Sequence, residues 1–130
     1  MDVKERALEL HDKGFNCAQC VLHAMNEHTG LDEKTALAIS AGFGGGLRCG
    51  EICGAISGAV MAAGIANPFC DGTDTKAKDK IAKLARECSG AFKEKYGCVR
   101  CVELKQTGHP CSELIAFGAE TAEKIIKDNR

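Results

Sequence analysis

Apolar residues along this chain recur at helical spacing in one segment after another, and the gaps between segments hold residues that end helices. From Asp2 to Lys13, Val3, Ala7, Leu8 and Leu10 share one side, and Gly14 stops the run. Asn16 then caps a helix over residues 17–28, closed by Gly30, whose inner face carries Cys17, Val21, Ala24 and Met25, with Cys20 one turn on. Asp32 caps a third helix over 33–41, turning Ala36, Leu37, Ile39 and Ser40 partly inward. A long helix runs from Thr73 or Asp74 to Tyr96. Its stripe is Ile81, Leu84, Ala85, Cys88 and Phe92, its Lys, Asp and Glu residues lie on the solvated face, and Gly97 ends it. Residues 98–106 form a short helix closed by Gly108. Pro110 introduces a last one over 111–127, with Leu114, Ile115, Gly118, Ala122, Ile125 and Ile126 inward. β-branched residues nowhere alternate over a useful length, so no strand is expected.

The middle of the chain follows a different pattern. A glycine-dense loop (Gly42, Gly44, Gly45, Gly46) leads past Arg48 and Cys49 into the longest uncharged stretch, Ile52 to Cys70. Ile52, Ala55, Ile56, Ala59, Val60 and Ala63 keep a helical period while Met61 and Ala62 fill the other side, and a helix apolar nearly all round is a buried one. The stretch is built largely of Ala and Gly and contains Ser57, Asn67 and Pro68, which argues against a membrane span. The expected fold is therefore all-α: one domain over residues 1–130, six or seven helices around a buried Ala/Gly-rich central helix. Gly54 and Gly58, four apart, are read as points of close helix–helix approach.

Charge and composition narrow the function. A net charge of -1 with both signs interspersed, 5% aromatics and no Trp give no surface for nucleic acid or anionic membrane. No basic stub followed by an apolar run opens the chain, so a cytoplasmic location is expected. Nine cysteines in a reducing compartment point to metal or redox chemistry rather than a disulfide scaffold, and an odd number cannot all pair internally.

The placement of those cysteines carries the chemistry. Cys53 falls in the first turn of the central helix, and Cys17 and Cys111 also fall at expected helix starts. Free N–H groups and the helix dipole there favour a thiolate, which is both the nucleophile of disulfide exchange and the ligand of metals and iron–sulfur clusters. Cys17/Cys20 and Cys98/Cys101 are Cys-x-x-Cys pairs, but nearly the whole chain separates them, unlike a zinc ribbon. No His follows either pair, against c-type haem, and the βαβ setting of thioredoxin is missing. Cys88 reads as core, Cys70 has no assignable role, and His109 draws attention by adjoining Cys111. The glycine loop lacks the last glycine of a dinucleotide fingerprint and any Walker lysine, though its amides could cradle an anion or cofactor. These residues leave a cluster, a disulfide or persulfide relay, and a zinc-held structural domain all open.

Five motifs in order carry a resemblance over residues 14–120: Asn16-Cys17-Ala18-Gln19, Gly42-Phe43-Gly44-Gly45-Gly46, Cys53-Gly54-Ala55-Ile56-Ser57-Gly58, Cys101-Val102-Glu103-Leu104 and Cys111-Ser112-Glu113-Leu114. The chain resembles a family of redox-active proteins named for its cysteine pattern, C_GCAxxG_C_C. The family label puts Gly before its second cysteine, whereas here Ile52 precedes Cys53. The resemblance implies a small helical protein with Cys17, Cys53, Cys101 and Cys111 as signature cysteines, leaving Cys20, Cys49, Cys70, Cys88 and Cys98 as extras. A similar domain is joined to a haem module in split-Soret cytochromes, with an iron–sulfur centre in the cysteine-bearing part. The expectation is thus one redox centre on those four cysteines, an iron–sulfur cluster of the [2Fe–2S] type, serving a protein redox partner, with Gly44, Gly45 and Gly46 hydrogen-bonding to its sulfur. The alternatives are thiol–disulfide or persulfide exchange with Cys53 attacking and Cys17 or Cys49 resolving, and a zinc-stabilised domain. A homodimer is compatible with each.

Overall fold

Helix starts are marked by side chains that satisfy the first free amides. Asp2, Asn16, Asp32 and Asp74 each accept an N–H three residues on, and Gln19 returns a bond to the Asn16 amide to complete a capping box. The helices they open are α1 (Val3–Asp12), α2 (Cys17–Ala24), α4 (Glu33–Ser40) and α6 (Thr75–Tyr96). The computed structural model, covering Met1–Arg130, adds α3 (Asn26–Thr29), α5 (Gly54–Ala66), α7 (Cys101–Gln106) and α8 (Cys111–Asp128). The protein is all-α, and its one β feature is an isolated antiparallel bridge between Ile52 and Arg100. None of its helices is long and apolar enough to cross a membrane.

Small residues draw α2, α5 and α8 together. A methyl on Gly58 would stand 2.8 Å from the Ala18 carbonyl oxygen, and one on Gly118 would stand 2.9 Å from the Ala55 Cβ. A methyl on Gly54 would meet the Ala18 N at 3.1 Å and the Cys17 Cβ at 3.2 Å. The expected close approach at Gly54 and Gly58 is therefore present, and Gly118 completes it from the third helix. Around this contact lies one continuous buried core, with Phe92, Leu22, Met25, Ile56, Leu84, Leu104, Ile115 and Ile126 as its largest members.

Five local expectations are corrected. The helix read over 17–28 breaks at Met25, where the amide bonds to the Leu22 carbonyl in a tighter turn, so there are eight helices rather than six or seven. Ile52 is not in the central helix: it stands opposite Arg100 and is 43% exposed. Ile39 is 53% exposed rather than inward. The short helix begins at Cys101, not at 98, because Val99 and Arg100 are taken up by the bridge. Nor is α5 covered all round: Met61, Gly64 and Ile65 line a shallow apolar groove with Leu22, Ile39 and Phe69.

Candidate functional site

Each of the four cysteines that the resemblance singles out stands at a helix start. Cys17 opens α2, Cys53 is the N-cap of α5, Cys101 opens α7 and Cys111 opens α8. The last three helices have no side-chain cap, so their leading amides are not taken up by a neighbouring Asp or Asn.

Two pieces of backbone bring three of these starts together. The first is the glycine approach, which sets the beginning of α5 against Cys17. The second is the bridge: the Cys53 N–H donates to the Val99 carbonyl at 2.9 Å, and the Cys101 N–H donates to the Glu51 carbonyl at 2.6 Å. Side chains alternate across such a pairing, so Cys53 and Cys101 lie on one face while Ile52 and Arg100 lie on the other. At the end of the bridge the Arg100 guanidinium donates to the Glu51 carboxylate through two contacts, at 3.0 and 3.2 Å.

The preceding loop is folded to allow this. Gly45, Gly46, Leu47 and Arg48 all have positive φ, between 61° and 65°, forming a short left-handed turn. For Leu47 and Arg48 that conformation costs about 1–2 kcal/mol each. A Cβ on Gly46 would fall 2.4 Å from the Glu51 oxygen and 2.8 Å from the Cys101 Cβ, so only glycine lets the turn lie on the bridge. Gly44 faces the Asn16 side chain, 2.4 Å from where its own Cβ would be, and the Asn16 amide reaches the Ala41 carbonyl at 2.9 Å. Gly44 and Gly46 thus fit the loop against the segments bearing Cys17 and Cys101, while Gly45 faces open space beside Arg48.

The electrostatics link the sulfurs. Burial raises the Cys17 thiol far above its ordinary value, and Cys111, Cys53 and Cys20 add to the rise. Burial pushes Cys53 up to about 11; the Ala55 and Ile56 amides oppose it, and Cys101 and Cys111 add to it. Cys53 is 2% exposed, and burial is the main cause of its rise. The expected thiolate bias of the helix start is present at Cys53 but outweighed, since desolvation penalises the charged form more than two amides favour it. No group of three or more His, Cys, Asp or Glu side chains is arranged to hold a single metal ion.

The remaining cysteines point elsewhere. Cys20 turns its thiol to the Phe15 carbonyl at 3.5 Å, Cys49 to Gly46 at 3.5 Å and Cys98 to Tyr96 at 3.8 Å. In each Cys-x-x-Cys pair one member, Cys20 or Cys98, thus turns its thiol to a backbone carbonyl. Cys88 is fully buried, as expected of core, and Cys70 is exposed. All nine are free.

A group of packed rings joins α6 to α8, and sequence reasoning did not place it there. Tyr96 packs its ring 4.6 Å from His109, 5.5 Å from Phe117 and 5.8 Å from Phe92. His109 Nδ1 lies 3.8 Å from the Glu113 carboxylate. Burial, then Glu113 and Cys53, push the Tyr96 hydroxyl up to about 12. The available signal was that Tyr96 extends the Cys88, Phe92 stripe by one more turn and is the sole tyrosine.

No curated protein and no solved structure matches the chain. The model of the family described as "Putative redox-active protein (C_GCAxxG_C_C)" matches residues 15–125. The match covers most of the chain's length, and the chain belongs to this redox-active C_GCAxxG_C_C family.

Proposed function

We propose that Cys17, Cys53, Cys101 and Cys111 hold an iron–sulfur cluster of the [2Fe–2S] type and that the protein exchanges electrons with a protein partner. The observation that carries this reading is that Cys17, Cys53, Cys101 and Cys111 all stand at helix starts, with Cys53 and Cys101 joined across the bridge. The donor set is sulfur alone, which suits a cluster, and [2Fe–2S] takes four thiolates. Such a group supplies one-electron chemistry when bound. The chain's own part is to supply the thiolates, to release their protons on loading, and to keep water away through the burial of Cys53. The family's redox assignment supports the same direction. A full set of free cysteines fits a reducing cytoplasmic setting.

A second reading is thiol–disulfide exchange, with Cys17 and Cys111 as its pair because Cys111 is near enough to act on the Cys17 thiol. Cys53 itself is a poor attacking group, being buried and held protonated. Anaerobic purification separates the readings. The cluster reading expects visible charge-transfer absorption that bleaches on reduction. A colourless protein with a two-electron thiol titration would replace it with the disulfide reading, and stoichiometric zinc without redox activity would replace both.

A further inference from the structure

A polar cleft of about 200 Å³ lies where α1 and α2 end and α3 and α4 begin, and no cysteine lines it. Its inner wall is made by the buried Leu10 and Ala24 and the half-buried Arg6 and His23. Its rim is made by the exposed Glu9, Lys13, Asn26 and Glu33. Arg6 Nε and His23 Nδ1 are shielded from bulk solvent, and neither has a hydrogen-bond partner in the chain. The Arg6 guanidinium is fixed through its Nη1, which donates to the Glu27 carboxylate at 2.7 Å. An N–H held in this way calls for an acceptor, and the cleft is far larger than a single water needs. Charge decides what kind of acceptor. Arg6 and Lys13 face three carboxylates, those of Glu9, Glu33 and the Arg6-bonded Glu27, so a simple anion gains no net attraction. Glu9 is paired with Lys13 at 3.4 Å, whereas the Glu33 carboxylate makes no ion pair. A ligand that suits both ends carries an acceptor for the inner wall and a cation for the rim.

We propose that this cleft binds the head group of a free α-amino acid, with its carboxylate on the inner wall at Arg6 and His23 and its ammonium at the rim beside Glu33. The carboxylate takes the Arg6 Nε–H and the proton of a His23 imidazole protonated on Nδ1, and each bond is strengthened by charge. The ammonium meets the one carboxylate of the cleft that has no cation of its own. The site is separate from the cysteines and does not rest on the redox reading.

The probe is L-alanine, which carries the head group and little else, set against acetate and ethylamine, which carry one half each. Binding to the full chain is followed through the imidazole NMR signals of His23, identified among those of the 4 histidines by their loss in His23→Gln. L-alanine is expected to shift these signals saturably at millimolar concentration. Acetate and ethylamine are expected to bind more weakly by about threefold or more. Glu33→Gln removes a charge but no ion pair within the chain, and is expected to weaken L-alanine binding about threefold to fivefold while leaving acetate unchanged. Arg6→Met, its fold checked by circular dichroism, is expected to weaken it about tenfold or more; if that variant does not fold, Glu33→Gln decides. No saturable shift with L-alanine would overturn the inference and leave the two nitrogens to water. Acetate bound as tightly as L-alanine, or a Glu33→Gln variant that binds L-alanine like the parent, would overturn it in favour of a plain anion cleft. Cys17→Ser is expected to bind L-alanine unchanged, so a failure of the redox reading and a failure of this one are read separately.

Discussion

The backbone N–H of Cys53 donates to the carbonyl of Val99 at 2.9 Å, joining the start of α5 to the segment that leads into α7. Through this one contact and its return bond from Cys101, two sulfurs from distant parts of the chain come to share a face. The left-handed turn over Gly45 to Arg48 lies directly against it. Gly46→Ala places a methyl 2.4 Å from the Glu51 oxygen at a φ of +65°. The bridge must then separate. We expect a loss of about 1–3 kcal/mol in urea unfolding together with loss of bound iron. A variant with unchanged unfolding and full iron content would show that the bridge does not position Cys101.

Glycines elsewhere separate packing from backbone propensity. Gly58→Ala and Gly118→Ala insert methyls at 2.8 and 2.9 Å from their neighbours, and each is expected to destabilise by about 1–3 kcal/mol. Gly90, inside α6, has nothing within 4 Å of an added Cβ, so Gly90→Ala should stabilise by about 0.5–1 kcal/mol. Thermal or urea midpoints decide it. Opposite signs at Gly58 and Gly90 are required; a stabilised Gly58→Ala would mean that α2 and α5 are not in close contact.

Buried thiols make the reduced, metal-free protein sensitive to alkali. Cys20 and Cys88 are pushed up to about 12 by burial, and Cys53 to about 11, from an ordinary value of 9.0. Raised values mean that the unfolded chain gives up these protons first. Their contribution to stability is complete below about pH 9 and is lost as pH rises toward the folded values. The urea midpoint should therefore fall steadily from pH 8 to pH 10.5, and Cys88→Ala, whatever its baseline stability, should reduce the slope. A flat profile would contradict the burial of these thiols.

Reactivity toward iodoacetamide should follow exposure. Cys49 and Cys70 are exposed, whereas Cys20, Cys53 and Cys88 are buried. Mass spectrometry of the reduced folded protein at pH 7.5 should find Cys49 and Cys70 alkylated at least tenfold faster than Cys53. Fast modification of Cys53 would return it to the role of an attacking nucleophile.

Much of this arrangement was legible in the residues because the signals were local. Asn16, Asp32 and Gly97 mark their helix ends by side-chain chemistry or by a left-handed cap, and the stripes of α6 and α8 predict the buried positions. Gly54 and Gly58 signalled close approach by size alone. What local signals could not give is the pairing of Ile52 with Arg100, since a single bridge has no alternating pattern to announce it. The same holds for the break at Met25, where neither Gly nor Pro interrupts the run, and for the outward turn of Ile39. The thiolate bias expected at Cys53 failed for a related reason: the helix start is local, but the burial that outweighs it comes from the assembled fold. Tyr96 was visible as a stripe residue, and only packing set its ring against His109.

The most direct test is iron and acid-labile sulfide per chain in anaerobically prepared protein, compared across single Cys→Ser variants. About two irons and two sulfides are expected in the parent. Iron should be lost or sharply depleted in Cys17→Ser, Cys53→Ser, Cys101→Ser and Cys111→Ser, and retained in Cys49→Ser, Cys70→Ser and Cys98→Ser. An iron-free parent, or a Cys53→Ser variant that binds as much iron as the parent, would contradict the account.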